Sequence, residues 1–338
     1  MPSALSSDEP PTISAGAGVV AWSQPTQSGR WGLRVGTSAK GDLGHTFDAQ
    51  PWPVDVSVGA LRGEPEIFWS HCPKTSKAVA RRVADGCDVV RLRDLAANAP
   101  MVRFPGASSR TFSETAPSRN GNRLVFARRS RDSSRAFAIL RDIDHHTNRT
   151  LAGGPTGTCP TLARCEESGF LSAGPDELSI DGVRWAMRWR TYGGDDRIGI
   201  SDNDRVLGGR IFGTTSKVLT TGATGLISGT CSERRFGSVQ QIGTVVQSVR
   251  HLFDCDSTPP TGSDVVLRTS STRDSAIYAD PAHRRIVAAA ADGGRLWLVR
   301  EVRAYDYASS PERPGYCAEE VGGCDIVAVD EPSFAPEA

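Results

Sequence analysis

Residues 118–129, SRNGNRLVFARR, are answered at residues 179–190 by SIDGVRWAMRWR. Each begins with serine, passes through a polar turn closed by glycine, and rises into an apolar run that ends in arginines. Glycine in that place supplies the positive backbone angle a tight hairpin needs. In the second stretch Val183, Trp185, Met187 and Trp189 alternate with Arg184, Ala186, Arg188 and Arg190, the period-two pattern of a half-buried strand. A unit that opens on a hairpin turn therefore recurs along the chain.

Working outward, similar apolar crests stand at VVAW from Val19, EIFW from Glu66, LVFA from Leu124, VRWAM from Val183, GLISG from Gly225 and IVAAA from Ile286. Each is followed by a second candidate strand: WGLRV, DVVRL, AFAILR, RIGIS, VQSVRHLF and LWLVR. Each is preceded by another: PTIS at 11, VDVSV at 54, SETAP at 113, DELSI at 176, KVLTT at 217 and AIYA at 276. A weaker fourth strand, such as APMVRF from Ala99, completes a small antiparallel sheet. Six such units at a period of roughly 40 to 60 residues predict an all-β fold, a β-propeller of six four-stranded antiparallel blades. A seventh blade stays open as an alternative count, and one or two β-sandwiches as an alternative fold that leaves the six crests unexplained. The propeller is expected over residues 12–330, between a tail at 1–11 and another at 331–338.

Composition agrees with this reading. Glycine (35) and proline (21) are abundant and methionine (3) is scarce, as in a turn-rich, strand-rich chain. Lys plus Arg (39) balances Asp plus Glu (39), and the arginines are scattered along the chain. No net field therefore draws the protein to nucleic acid or an anionic membrane. The longest apolar runs fall well short of the about 20 residues of a membrane-crossing helix.

The serine, a turn Asp or Asn, the glycine and the apolar-aromatic crest resemble the six-bladed propeller of TolB and related WD-repeat-like proteins. The likeness is carried by Ser118-Arg119-Asn120-Gly121 with Leu124-Val125-Phe126, and by Ser179-Ile180-Asp181-Gly182 with Trp185. It spans most of residues 12–330 but is strong in two repeats. SAGAG at 14, TGATG at 221 and DPAHRR at 280 are degenerate versions, and the proline often found between serine and aspartate in that family is missing. The resemblance implies a fold that binds proteins, peptides or saccharides, without naming one.

The eight cysteines fall into neighbouring pairs: Cys72 with Cys87, Cys159 with Cys165, Cys231 with Cys255, and Cys317 with Cys324. With no CxxC and no zinc-finger spacing, disulfides are expected, and with them an oxidising compartment. Residues 1–11, MPSALSSDEPP, have neither the basic start nor the apolar core of a secretory signal. Met1 is therefore expected to open a mature form whose leader has been removed. The alternative is a cytoplasmic protein with free thiols.

Sites for chemistry are sparse. RDIDHHTN groups Asp142, Asp144, His145 and His146, but adjacent histidines in a strand point to opposite faces. DDRIGISDND gathers Asp195, Asp196, Asp202, Asn203 and Asp204 without the spacing or terminal glutamate of a calcium loop. No cofactor is expected, with calcium there as the exception to test. GxSxG, the sialidase Asp-box, the P-loop and GxGxxG are absent, and His71 beside Cys72 loses its meaning as a nucleophile pair if that cysteine is bridged. What remains is the axis: if the strands ahead of each crest are innermost, Asp55, Glu114, Glu177, Lys217 and Tyr278 reach the central channel or its mouth. The reading is a secreted or cell-surface, monomeric propeller that binds a protein, peptide or glycan and for which no catalysis is inferred. The alternatives are a lactonase-like or glycan-cleaving propeller hydrolase, and a spacer domain of a longer surface protein.

Overall fold

The computed structural model describes residues 11–331 apart from 27, 29, 38–40, 52, 62, 73, 76–83, 97, 131–134, 156–169, 194–201, 213–215, 225–232, 255–260, 271–273, 307–315, 319 and 320. The chain folds as a six-bladed β-propeller, all-β and without helices among the described residues. Blade 1 holds β1 (Ile13–Gly16), β2 (Val19–Pro25), β3 (Trp31–Thr37) and β4 (Gly41–Gln50). In blade 2, β5 (Val56–Leu61) and β6 (Glu64–His71) are followed by a small hairpin, β7 (Lys74–Thr75) with β8 (Ala84–Asp85). β9 (Asp88–Leu92) and β10 (Val102–Arg103) then complete the blade. Blade 3 is β11 (Phe112–Asn120), β12 (Arg123–Ser130), β13 (Arg135–Asp142) and β14 (Thr147–Pro155). Blade 4 is β15 (Phe170–Asp181), β16 (Arg184–Gly193), β17 (Asp202–Arg210) and β18 (Ser216–Thr224). Blade 5 is β19 (Glu233–Ile242), β20 (Val245–Asp254), β21 (Thr261–Thr269) and β22 (Asp274–Ala279). Blade 6 shows β23 (Ile286–Asp292), β24 (Arg295–Glu301) and β25 (Cys324–Asp330) among the described residues. Each blade meanders outward from its first strand, antiparallel throughout.

The core lies in six wedges between neighbouring blades, and the period-two geometry of the second strands explains why. On β2, Val19 and Ala21 pack toward blade 2 while Val20 and Trp22 pack toward blade 6. On β6, Ile67 and Trp69 fill the wedge with blade 1, and Phe68 fills the wedge with blade 3. On β12, Leu124 and Phe126 face blade 2, and Val125 and Ala127 face blade 4. A strand buried on both faces reads as a continuous apolar run, which is what the crests are. The half-buried reading of β16 is corrected by the same fact. Trp185 and Met187 enter the wedge with blade 3 and Ala186 the wedge with blade 5, while Arg188 is buried against Glu177.

The opening motif has a use for each of its defining residues. Ser57 Oγ accepts the backbone N–H of Arg119, Ser118 Oγ that of Ile180, and Ser179 Oγ that of Gln241, each link joining the first strand of one blade to that of the next across 62 residues. Ser14 does the same for Val58. Gln240 replaces the serine in blade 5 and holds Ala291 through both its carbonyl and its amide. The turn aspartate reaches further: Asp181 Oδ2 accepts from the N–H of Gly243, and Asp292 Oδ2 from that of Gly18, which closes the ring between blades 6 and 1. Gly121 and Gly182 both sit at φ 56°, the left-handed region that glycine enters without steric cost. Replacing Ser179 by alanine leaves the Gln241 N–H without its acceptor in a buried seam. A loss of about 1–2 kcal/mol in a denaturant titration is expected, and an unchanged midpoint would remove the hydroxyl from the account of ring closure.

The structure moves the sequence-based strand order in the last third of the chain. KVLTT is β18 and AIYA lies in β22, the outermost strands of blades 4 and 5, not their innermost ones. VQSVRHLF lies in β20, the second strand of blade 5, and IVAAA opens β23, the first strand of blade 6. GLISG and RIGIS lie outside the described residues. Two disulfides are formed, Cys72–Cys87 across the base of the β7–β8 hairpin, and Cys317–Cys324, which ties the approach to β25. Cys159, Cys165, Cys231 and Cys255 lie outside the described residues.

Candidate functional site

β1, β5, β11, β15, β19 and β23 stand side by side around the axis, and each contributes to an axial cavity of about 80 Å³. Its lining combines the serines Ser14, Ser57, Ser118 and Ser179 with the apolar residues Ala116, Leu178 and Val239. The serines spend their oxygens on neighbouring blades, so the waist is narrow because it is also the seam of the ring. Ala116 and Ser238, both on this wall, hold left-handed backbone angles (φ 48° and 53°) at bulges where β11 and β19 slip register against β12 and β20. Bulges of this kind turn side chains at a sheet rim and carry local strain.

At the end where the first strands turn into the second, the axis opens into a wider depression of about 390 Å³, again lined from all six blades. Arg119, Asn120, Asp181, Gln241, Asp292 and Glu331 supply its polar groups. Arg119 is buried and paired with Glu66. Asp181 accepts from Asn120 Nδ2 as well as from Gly243. Tight turns and short side chains thus leave an open polar bowl over a narrow waist.

Of the residues expected at the axis, Asp55 and Glu177 line the cavity. Asp55 accepts from the Ser70 hydroxyl at 3.3 Å. Glu177 takes the N–H of Val239 at 2.8 Å and faces Arg188 at 3.3 Å. Glu114 is on an innermost strand but does not line the cavity: it is 0 % exposed and receives Arg128 Nε at 3.0 Å on the blade 2 side. Burial pushes its carboxyl up to about 7 against the pull of Arg128. Lys217 and Tyr278 stand away from the axis, because β18 and β22 are outer strands; Lys217 pairs with Gly208, and Tyr278 packs in the wedge of blades 5 and 6. The true register has a signal: Gly121, Gly182 and Gly243 are evenly spaced, and VVQSV from Val245, after the third, is the crest of blade 5.

A second polar cluster, unannounced by any local motif, lies on blades 1 and 2. Asp48 Oδ2 accepts Trp69 Nε1 at 2.9 Å and meets His71 Nδ1 at 2.8 Å. Burial alone would raise the Asp48 carboxyl, but the hydrogen bonds from His71 and Trp69 outweigh it and hold the group below the usual carboxylate range. The bond to Asp48 in turn raises His71, against its own burial. Because these partners come from β4 and β6, separated in sequence, no local motif could have announced them. His145 is exposed and paired with Asp142, and among the described residues no three His, Cys, Asp or Glu side chains converge as a metal-ligand group. Asp195 and Asp196 lie outside the described residues.

No protein-family model and no curated protein matches the sequence. Solved structures of similar arrangement include an oligogalacturonate lyase in complex with manganese, at TM-score 0.43 and 11 % identity over 86 % of this chain and 68 % of that one. The β-propeller domain of the Trilobed protease from Pyrococcus furiosus is similar at TM-score 0.41 and 10 % identity, over 89 % of this chain and 93 % of that one. A Hadza microbial sialidase is similar at TM-score 0.44 and 9 % identity, over 95 % and 65 %. At this level of likeness nothing of these proteins' activities or ligands carries over to this chain.

Proposed function

We propose that this propeller is an extracellular binding module that takes a protein, peptide or glycan at the axial bowl. The observation that carries the reading is the bowl itself: a depression of about 390 Å³ walled by turns from every blade, polar at its rim and closed below by the serine seam. A rigid ring that converges backbone and side-chain groups on one concavity is the usual ground for ligand recognition. The two disulfides support a secreted or cell-surface setting, and no helix among the described residues is long and apolar enough to cross a membrane. The TolB-like, WD-repeat-like resemblance of the two clear repeats is in keeping with such a role.

Ala60, on the bowl wall, gives the test. Replaced by tryptophan, it fills the concavity without touching the serine seam. Wild-type protein is expected to bind members of a peptide and glycan array, and Ala60→Trp to lose that binding by roughly tenfold or more at an unchanged melting point. Array binding indifferent to the plug would move the site elsewhere.

The second reading, a hydrolase acting at the channel, rests on Asp55 and Glu177 lining one cavity. Turnover of aryl esters, lactones or aryl glycosides by the wild type, abolished in Glu177→Gln, would put it first.

A further inference from the structure

A cleft of about 770 Å³ lies away from the axis, on blade 1, lined by β2, β3, β4 and the β2–β3 turn. It is about twice the volume of the axial bowl, at about 390 Å³, and falls in the range of small-molecule sites, about 300–1,000 Å³. The strand register explains its walls. Trp22, Arg34 and Thr46 stand in one cross-strand row, and Gln24, Gly32 and Ala49 in the next. Trp22 packs into the wedge with blade 6, so both rows belong to that face of the blade. Gly32 leaves the second row without a side chain at its centre. A Cβ there would collide with the Thr46 and Thr26 methyls, which therefore lie over the glycine, on the same side as Gln24.

Hydrogen-bonding capacity is left over on this face. Gln24 Oε1 accepts Trp22 Nε1 at 3.0 Å, which leaves the Gln24 amide hydrogens to donate. Thr26 gives its hydroxyl hydrogen to the Arg30 carbonyl at 2.9 Å, so the 2.9 Å bond between Thr26 and Ser28 is donated by Ser28, whose lone pairs stay open. Gln24, Ser28 and Thr46 are all exposed, and the Thr46 hydroxyl can give or take. Charge, by contrast, is already spent. The Arg34 guanidinium pairs with Asp42, and Asp48 turns Oδ2 to Trp69 and His71. A free ion finds no counter-charge in the cleft, whereas a hydroxyl, which gives one hydrogen bond and takes two, meets donors and acceptors side by side.

We infer that this cleft binds a neutral saccharide, its adjacent hydroxyls taking hydrogen bonds from Gln24 and Thr46 and giving one to Ser28. The site is separate from the axial bowl and stands whatever the bowl binds.

Calorimetric titration of the disulfide-intact protein with maltohexaose, cellohexaose, mannohexaose and N-acetylated chitohexaose provides the test. At least one is expected to bind with a Kd of about 1 mM or tighter, and to do so equally at low and high salt. Two conservative changes remove the cleft's donors and leave its packing: Gln24→Glu keeps the acceptor for Trp22 and loses the amide hydrogens, and Thr46→Val keeps the methyl over Gly32 and loses the hydroxyl. The double variant is expected to bind that sugar roughly tenfold more weakly at a matching melting curve, while Ala60→Trp binds it as the wild type does. No binding of any of the four sugars, or an affinity indifferent to the double variant, would overturn the assignment. So would a cleft that proves, through the same variants, to hold a peptide or a sulfated polysaccharide in place of the neutral sugars. A sugar lost in Ala60→Trp and kept in the double variant would remove the cleft and leave the axial reading standing.

Discussion

Replacing Trp69 by alanine is expected to cost about 3–5 kcal/mol. Trp69 is fully buried in the wedge of blades 1 and 2, packed among Ile67, Val90 and Leu33. Its indole N–H is also one of the donors that hold the Asp48 carboxylate below its ordinary range. Alanine therefore opens a cavity and strips a hydrogen bond from a buried charge in one step. Trp69→Phe separates the two: it keeps most of the volume and loses the donor, and should cost about 1–3 kcal/mol. Chemical denaturation of the pair of variants measures both; equal losses would mean that the wedge, not the carboxylate, is indifferent to this residue.

Glu114 should make stability fall as pH rises. Its carboxyl is raised by burial to about 7 in the folded protein, above its ordinary value of 4.5. Between those values the folded state holds the proton more firmly than the unfolded chain. The group's contribution is therefore complete below about pH 4.5 and is lost as pH climbs through about 7, on the order of 3 kcal/mol in total. Arg128 softens the loss and does not reverse it, since its guanidinium is shared with the Phe112 and Phe126 rings and the Gly106 carbonyl. The His71–Asp48 pair adds a slope of the same sign above the ordinary imidazole range, because the raised His71 loses its charge there. Subtracting the curve of Glu114→Gln isolates the carboxyl. A difference between wild type and variant that stays flat from pH 4.5 to 8 would show that burial does not govern this group.

Much of the architecture was readable because each propeller blade repeats one local event, a glycine turn feeding a two-faced apolar strand. Ser118 and Ser179, with Asn120 and Asp181, join one unit to the next, and Gly121 and Gly182 turn each hairpin at positive φ. Reading failed where the motif decayed. In blade 5 glutamine stands for serine and Ile242 for the turn aspartate, so two outer strands, β18 with Lys217 and β22 with Tyr278, read as inner ones. Glu114 was missed differently. Its strand is innermost, but the alternation of side chains, further bent by the bulge between Thr115 and Ser118, sends it into a wedge. The Asp48–Trp69–His71 cluster depends on strand neighbours that no local spacing encodes.

Every described sheet is drawn from one continuous run of chain, and this sets an order of events during synthesis. Each blade can pair its strands as soon as it leaves the ribosome, and each new blade can settle against the one before it. The wedge between blades 6 and 1 is different. Its hydrogen bond from Gly18 to Asp292 spans 274 residues, so it must wait for nearly the whole chain. Until then Ile13, Ala15, Val20 and Trp22 of blade 1 keep an apolar flank uncovered, the longest-lived sticky surface on the nascent protein and the one that a chaperone would find first.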